Sequence, residues 1–90
     1  MNIEKGNIVR AIAGKEKGEI FVVLDVDEKF CFLVDGKRLK LNKPKKKSLK
    51  HVQKASKIEF ETEKLKSGQE KVNAEIRKFL KEVNVCQNKM

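Results

Sequence analysis

The chain has no tryptophan, no tyrosine, one proline, one histidine and two cysteines in 90 residues. Each scarcity excludes something. Proteins that hold single-stranded nucleic acid usually display aromatic rings on which bases stack. Here the only aromatic rings are those of Phe21, Phe30, Phe32, Phe60 and Phe79, and most of them stand where a core would use them. Cys31 and Cys86 lie far apart in the chain, unlike the close pairs of a metal site. Cys31, between Phe30 and Phe32, reads as a small buried hydrophobe, and Cys86 lies near a tail expected to fray. No Ser/His/Asp set can be assembled, and Gly14 to Gly18 followed by Glu19 lacks the Gly-Lys-Ser/Thr of a phosphate-binding loop. Asp25, Asp27 and Glu28 offer too few oxygens for a Ca²⁺ loop and read as a solvated turn. Neither an enzyme nor a metal or cofactor protein is expected. The longest apolar runs, residues 20–24 and 30–34, are far short of the roughly 20 residues that span a bilayer. Residues 1–6 carry no apolar stretch of a secretory signal, so a cytoplasmic location is expected.

What the chain has is positive charge, unevenly placed. Residues 1–36 hold five basic and seven acidic side chains. Residues 37–58 hold ten basic and no acidic ones, and residues 59–90 hold seven and six. The whole net charge of +9 therefore sits in one segment, and such a field attracts polyanions. A membrane surface is the weaker match, because no aromatic or Leu-rich face accompanies the lysines. Surfaces that merely aid solubility mix both signs. Here self-repulsion opposes compactness, and phosphates would relieve it with release of counterions.

Residues 7–54 read as β structure. Residues 7–12, 19–26 and 30–34 are rich in β-branched residues and Phe. Asp35-Gly36 is a two-residue hairpin signal, since a type I′ turn needs positive φ at both positions. Residues 38–41 alternate, which predicts a strand with Leu39 and Leu41 inward and Arg38 and Lys40 together on the other face. Residues 42–48, with Pro44, read as a loop, and residues 49–53 as a last short strand. Five short strands suit a small closed barrel.

Beyond Ala55 the period changes. Ile58, Thr62 and Leu65 predict one short helix ending at Gly68, with Ser67 and Glu70 as a competing capping box for a longer one. Asn73 is the preferred N-cap of a segment in which Ile76, Phe79, Leu80 and Val83 make an amphipathic stripe. That stripe is expected to pack on the barrel. The fold expected is mainly β: residues 1–55 form a five-stranded barrel, and residues 56–90 a helical extension of one or two short helices.

The cations expected to hold phosphate are Lys37, Arg38, Lys40, Lys43, Lys45, Lys46, Lys47 and Lys50. Lys far outnumbers Arg, which favours point-charge contacts over bidentate base readout and so structured RNA recognised by shape. At least one of Lys45, Lys46 and Lys47 should face away from the RNA. Whether His51 donates to a phosphate or is a neutral surface residue stays open.

Gly6-Asn7-Ile8-Val9-Arg10, Ala13-Gly14-Lys15-Glu16-Lys17-Gly18 and Phe21-Val22-Val23-Leu24-Asp25-Val26 resemble a KOW motif, found in ribosomal proteins and NusG-type transcription factors. Val34-Asp35-Gly36-Lys37 and residues 44–52 are similar to KOW-containing large-subunit ribosomal proteins and to short bacterial KOW proteins. The resemblance spans residues 5–54. It implies an SH3-like barrel and RNA binding, usually rRNA, by a protein of the ribosome. It adds Lys15 and Lys17 to the binding residues and makes Gly14 and Gly18, with Asp35 and Gly36, turn residues. The alternative it implies is a protein-interaction module of the transcription-elongation type. A monomer is expected when the protein is free.

Overall fold

The computed structural model describes residues 3–56, 58–61, 63 and 69–88. Five strands form one antiparallel sheet: β1 (Ile8–Ala11), β2 (Ile20–Val26), β3 (Phe30–Val34), β4 (Lys45–Ser48) and β5 (Val52–Lys54). A 3-10 turn, Leu49–His51, joins β4 to β5, and helix α1 spans Gln69–Asn88. The strand order is β4-β3-β2-β1-β5, so β4 and β5 are the two edges and the sheet is not closed by strand pairing.

The sheet is apolar on both faces. One face gathers Val9, Ala11, Phe21, Val23, Cys31, Leu33 and Val52, with Ile3 completing the cluster. The other carries Ile8, Val22 and Val34 beneath Val72, Ile76, Leu80 and Val83 of α1. Alternation along β2 divides Phe21 and Val23 from Val22. A bulge then resets it: Val23 pairs with Leu33, but Asp25 pairs with Phe32, leaving Leu24 as the extra residue. The phase flips there. Leu24 stays with the helix-covered cluster, while Val26 reaches the first one.

The expected stripe is the packing face of α1. Ile76 is fully buried, Leu80 and Val83 nearly so, and Phe79 is half-buried. Phe79 meets Phe60 edge-on, with ring centroids 5.2 Å apart at 71°. Phe60 is held by its own backbone, whose N–H donates to the Gly6 carbonyl over 2.8 Å. Nearby, the buried Asn7 accepts from Glu4 N–H at 2.9 Å and donates to Glu59 at 3.0 Å, which ties the segment after β5 to the start of β1.

Several local expectations are corrected. Residues 38–41 are not a strand. Asp35 does not take positive φ; among the described residues only glycines do. Its Oδ1 instead accepts from Lys37 N–H at 2.8 Å and Leu39 N–H at 2.9 Å. That side-chain turn makes residues 35–41 a compact loop. Leu39 packs against the first cluster and Leu41 against the second, so they do not share a face.

The fourth strand is the lysine run itself. Lys45 to Ser48 pair with β3 in continuous register, Lys47 opposite Cys31 and Lys46 opposite Phe32. Pairing overrides weak β propensity here, and lysines with a preceding proline suit an edge strand, where they discourage further strand addition. Residues 49–51, expected as strand, form the 3-10 turn.

Asn73 is not an N-cap. It lies inside α1, is 4% exposed, and its Oδ1 accepts from Leu41 N–H at 3.0 Å. Cys86 falls within the span of α1. Ile58 is exposed in irregular chain. Thr62, Leu65, Ser67 and Gly68 lie outside the described residues, as does Lys57.

Gly36 seats the helix. Its φ is +78°, and a Cβ there would stand 2.2 Å from the Asn73 carbonyl oxygen and 2.9 Å from Arg77 Cγ. The Arg77 guanidinium donates to the Gly36 carbonyl at 2.7 Å. Gly18 also has positive φ, +94°, but a Cβ there would meet nothing within 4 Å. Gly18→Ala should therefore cost about 1–2 kcal/mol of backbone strain. Gly36→Ala should cost clearly more in urea unfolding, because it also pushes α1 off the sheet. Equal losses would show that the close approach carries no weight. Ile76→Ala should cost about 2–5 kcal/mol, as for a fully buried aliphatic side chain.

Candidate nucleic-acid interface

The basic residues of the lysine-dense segment do three different things. Lys45 and Lys47, two apart on β4, share a face and fold back onto the loop between β1 and β2. Lys45 pairs with Glu16. Lys47 is buried at 9% exposure, and its ammonium donates to the Ala13 carbonyl at 2.9 Å. Gly14 stands beside it with φ +87°, a conformation that favours glycine, and a Cβ there would come 3.0 Å from Lys47 Nζ. Lys46 points to the other face, with Nζ 4.3 Å from the centre of the Phe30 ring, a cation–π contact.

Lys47, expected to hold phosphate, is thus withdrawn from the surface. Its stem lies along the core, and its charge serves a carbonyl.

The remaining cations are available. Lys37, Lys40, Lys43, Lys50 and His51 are exposed, and no carboxylate among the described residues pairs with them. Arg38 is exposed and bound to Glu19 at 3.0 Å, a surface pair of little energetic weight. Lys15 and Lys17 are exposed on the β1–β2 loop. That loop is internally bonded: Gly18 N–H donates to Ala11 O at 2.8 Å and Glu19 N–H to Glu16 O at 2.9 Å. Gly14 and Gly18 take positive φ within it.

Sequence reasoning missed what the helix brings. Lys37 and Arg38 face Arg77, Lys78 and Lys81 across an open groove of about 1000 Å³, which Gly18, Glu19, Ile20 and Asp35 also line. The three helical cations follow the buried stripe by a fraction of a turn, so their flank was readable from the 3.6 period. Which sheet edge that flank would meet was not, because it depends on the seating of α1 at Gly36.

Two titrating groups are perturbed. The hydrogen bond from Lys45 holds the Glu16 carboxyl below its ordinary value, aided by the charges of Lys45 and Lys47 and opposed by burial. Burial pushes the Cys31 thiol up, against the nearby Lys47 charge, and its Sγ lies 3.5 Å from the Lys47 carbonyl. No set of three or more His, Cys, Asp or Glu able to hold a metal ion occurs among the described residues.

No protein-family model matches the chain, and comparison with curated proteins gives no match.

Lys47→Ala should destabilise the protein by about 1–3 kcal/mol, through a lost charged hydrogen bond and lost packing. Lys43→Ala should stay within about 0.5 kcal/mol, as an exposed change does. Urea unfolding of both variants distinguishes a buried, bonded lysine from a solvated one. The depressed Glu16 carboxyl contributes stability that is fully present above the unfolded value, about 4.3. That contribution is lost as pH falls through the lower folded value. Glu16→Gln should flatten the acid limb of the stability curve; an unchanged limb would assign it to other carboxylates.

Proposed function

We propose that the protein binds structured RNA, most naturally rRNA, as a non-catalytic ribosomal or ribosome-associated factor. One observation carries this reading: residues 37–58 hold ten basic and no acidic side chains. Within that segment Lys37, Lys40, Lys43 and Lys50 stand exposed, with no carboxylate partner among the described residues. Fixed, uncompensated cations on a folded scaffold match a phosphate backbone of defined shape better than a flexible polycation would.

The resemblance of residues 5–54 to KOW proteins supports the same reading. We read the sheet accordingly as an SH3-like barrel whose strands β4 and β5 meet through the 3-10 turn. Bonds from Leu49 N–H to Lys29 O, 2.9 Å, and from Ile12 N–H to His51 O, 2.9 Å, tie that turn to the loops on both sides. This accounts for Val52 of one edge strand sharing a cluster with Cys31 and Leu33. RNA is favoured over a transcription-type protein partner because the Ile76, Phe79 and Leu80 stripe is spent on the sheet.

The test is cosedimentation with ribosomal subunits at moderate salt, crosslinking to find the rRNA segment, and a salt titration on that segment. With about five phosphate contacts, log affinity should fall against log salt with a slope of roughly −3.5 to −4.5. Lys37→Glu, Lys40→Glu and Lys43→Glu should each weaken binding and leave the thermal midpoint nearly unchanged. A slope near zero would overturn the phosphate reading.

A further inference from the structure

We infer that the groove between α1 and the loop after β3 is the seat of one phosphodiester strand of the bound RNA, and that Arg77, Lys78 and Lys81 are binding residues. This rests on the RNA-binding reading and extends it to an element outside the lysine-dense segment.

Three cations of the helix line one groove. With 100° between successive residues, Val72, Ile76, Leu80 and Val83 form the buried side. Arg77, Lys78 and Lys81 follow on one flank, lining the groove with Lys37 and Arg38. Glu75 and Glu82 lie on the far side with Glu59 and Glu61, and Lys78 borders both sides. Residues three and four apart on a helix neutralise one another when their charges differ in sign, and Lys78 has Glu75 and Glu82 at those spacings. Arg77 and Lys81 have no carboxylate three or four residues away, and both line the groove that the basic loop already borders.

The carboxylates within the groove do not cancel this field. Glu19 is matched by Arg38 at 3.0 Å. Asp35 keeps its charge while accepting from the backbone N–H groups of Lys37 and Leu39, so Glu19 and Asp35 stand against the five cations Lys37, Arg38, Arg77, Lys78 and Lys81. Arg77 gives one N–H to the Gly36 carbonyl, a neutral partner that leaves the guanidinium charge intact. Lys37, Lys78 and Lys81 have no carboxylate partner among the described residues. Two walls from different elements, one an ordered loop and one a helix, hold cations on both sides of a channel. A polyanionic strand lying in it neutralises both walls at once, and its fit depends on the backbone path rather than on base identity. Continuity with the exposed Lys40 and Lys43 favours RNA over an acidic peptide, because it extends the cationic track beyond the groove.

The experiment compares Lys78→Gln/Lys81→Gln with Lys29→Gln/Lys71→Gln. The second pair removes the same charge at exposed positions that do not line the groove. Circular dichroism melting confirms that both variants fold. The probes are an RNA hairpin with a duplex stem and a polyglutamate peptide. The groove variant should lose about tenfold or more in hairpin affinity near 0.1 M salt, and its salt slope should shrink by roughly 1.5–2. The control pair should change little. Equal weakening in both variants would mean that only net charge matters and would overturn the groove. So would a groove variant that binds as the unaltered protein does. If the peptide binds more tightly than the hairpin and depends on Lys78 and Lys81, the assigned occupant is wrong. If the unaltered protein fails to bind folded RNA at all, the broader reading falls with it.

Discussion

A sheet that is apolar on both faces must be covered twice, and every larger feature of this protein answers that demand. Phe21, Val22 and Val23 are consecutive and all buried, so β2 has no solvent side over its centre. On one face Ile3 joins the buried cluster, and Leu39 and Leu49 pack against it from the loops. The other face is covered by α1. Removing apolar surface from water is what favours the helix here. Most helical stability in proteins comes from packing an apolar face rather than from intrinsic propensity.

Covering the second face requires a close approach, and Gly36 permits it. The helix backbone at Asn73 and Arg77 stands where any side chain at position 36 would be. Polar bonds fix the seating: the Asn73 side chain accepts from Leu41, and Arg77 donates to Gly36. The loop that carries Lys37, Arg38 and Lys40 is thereby braced from two directions, by Asp35 within and by α1 outside. A basic loop of this composition would extend by self-repulsion if left alone. Bracing holds the loop in a defined shape against that repulsion.

The lysines are not equivalent despite their adjacency. Lys45 and Lys47 secure β4 to the β1–β2 loop, through a carboxylate and a carbonyl respectively. Lys46, on the opposite face, lies over an aromatic ring. The same residue type thus acts as ion-pair partner, buried donor and cation–π partner within three positions. The alternation of an edge strand is the reason.

Much of this was legible in the residues. The β-branched runs marked β1, β2 and β3. The Ile76, Phe79, Leu80 and Val83 spacing marked the covering face of a helix, and the charge count marked residues 37–58 as the segment of interest. These are local properties, set by side-chain period and composition, which need no knowledge of neighbours. What escaped was decided by partners distant in the chain. Lys45 to Ser48 became a strand because β3 offered an unpaired edge, not because lysines favour extension. Asn73 looked like a helix cap because its side chain seeks a backbone N–H. It found one 32 residues away at Leu41, and the helix began earlier. Lys47 went inward for an Ala13 carbonyl, and Arg77, Lys78 and Lys81 came to face Lys37 and Arg38 only once Gly36 had set the helix against the loop. Charge, in short, was written in the sequence, but its direction in space came from packing, because only packing determines which backbone groups and which faces a side chain will meet.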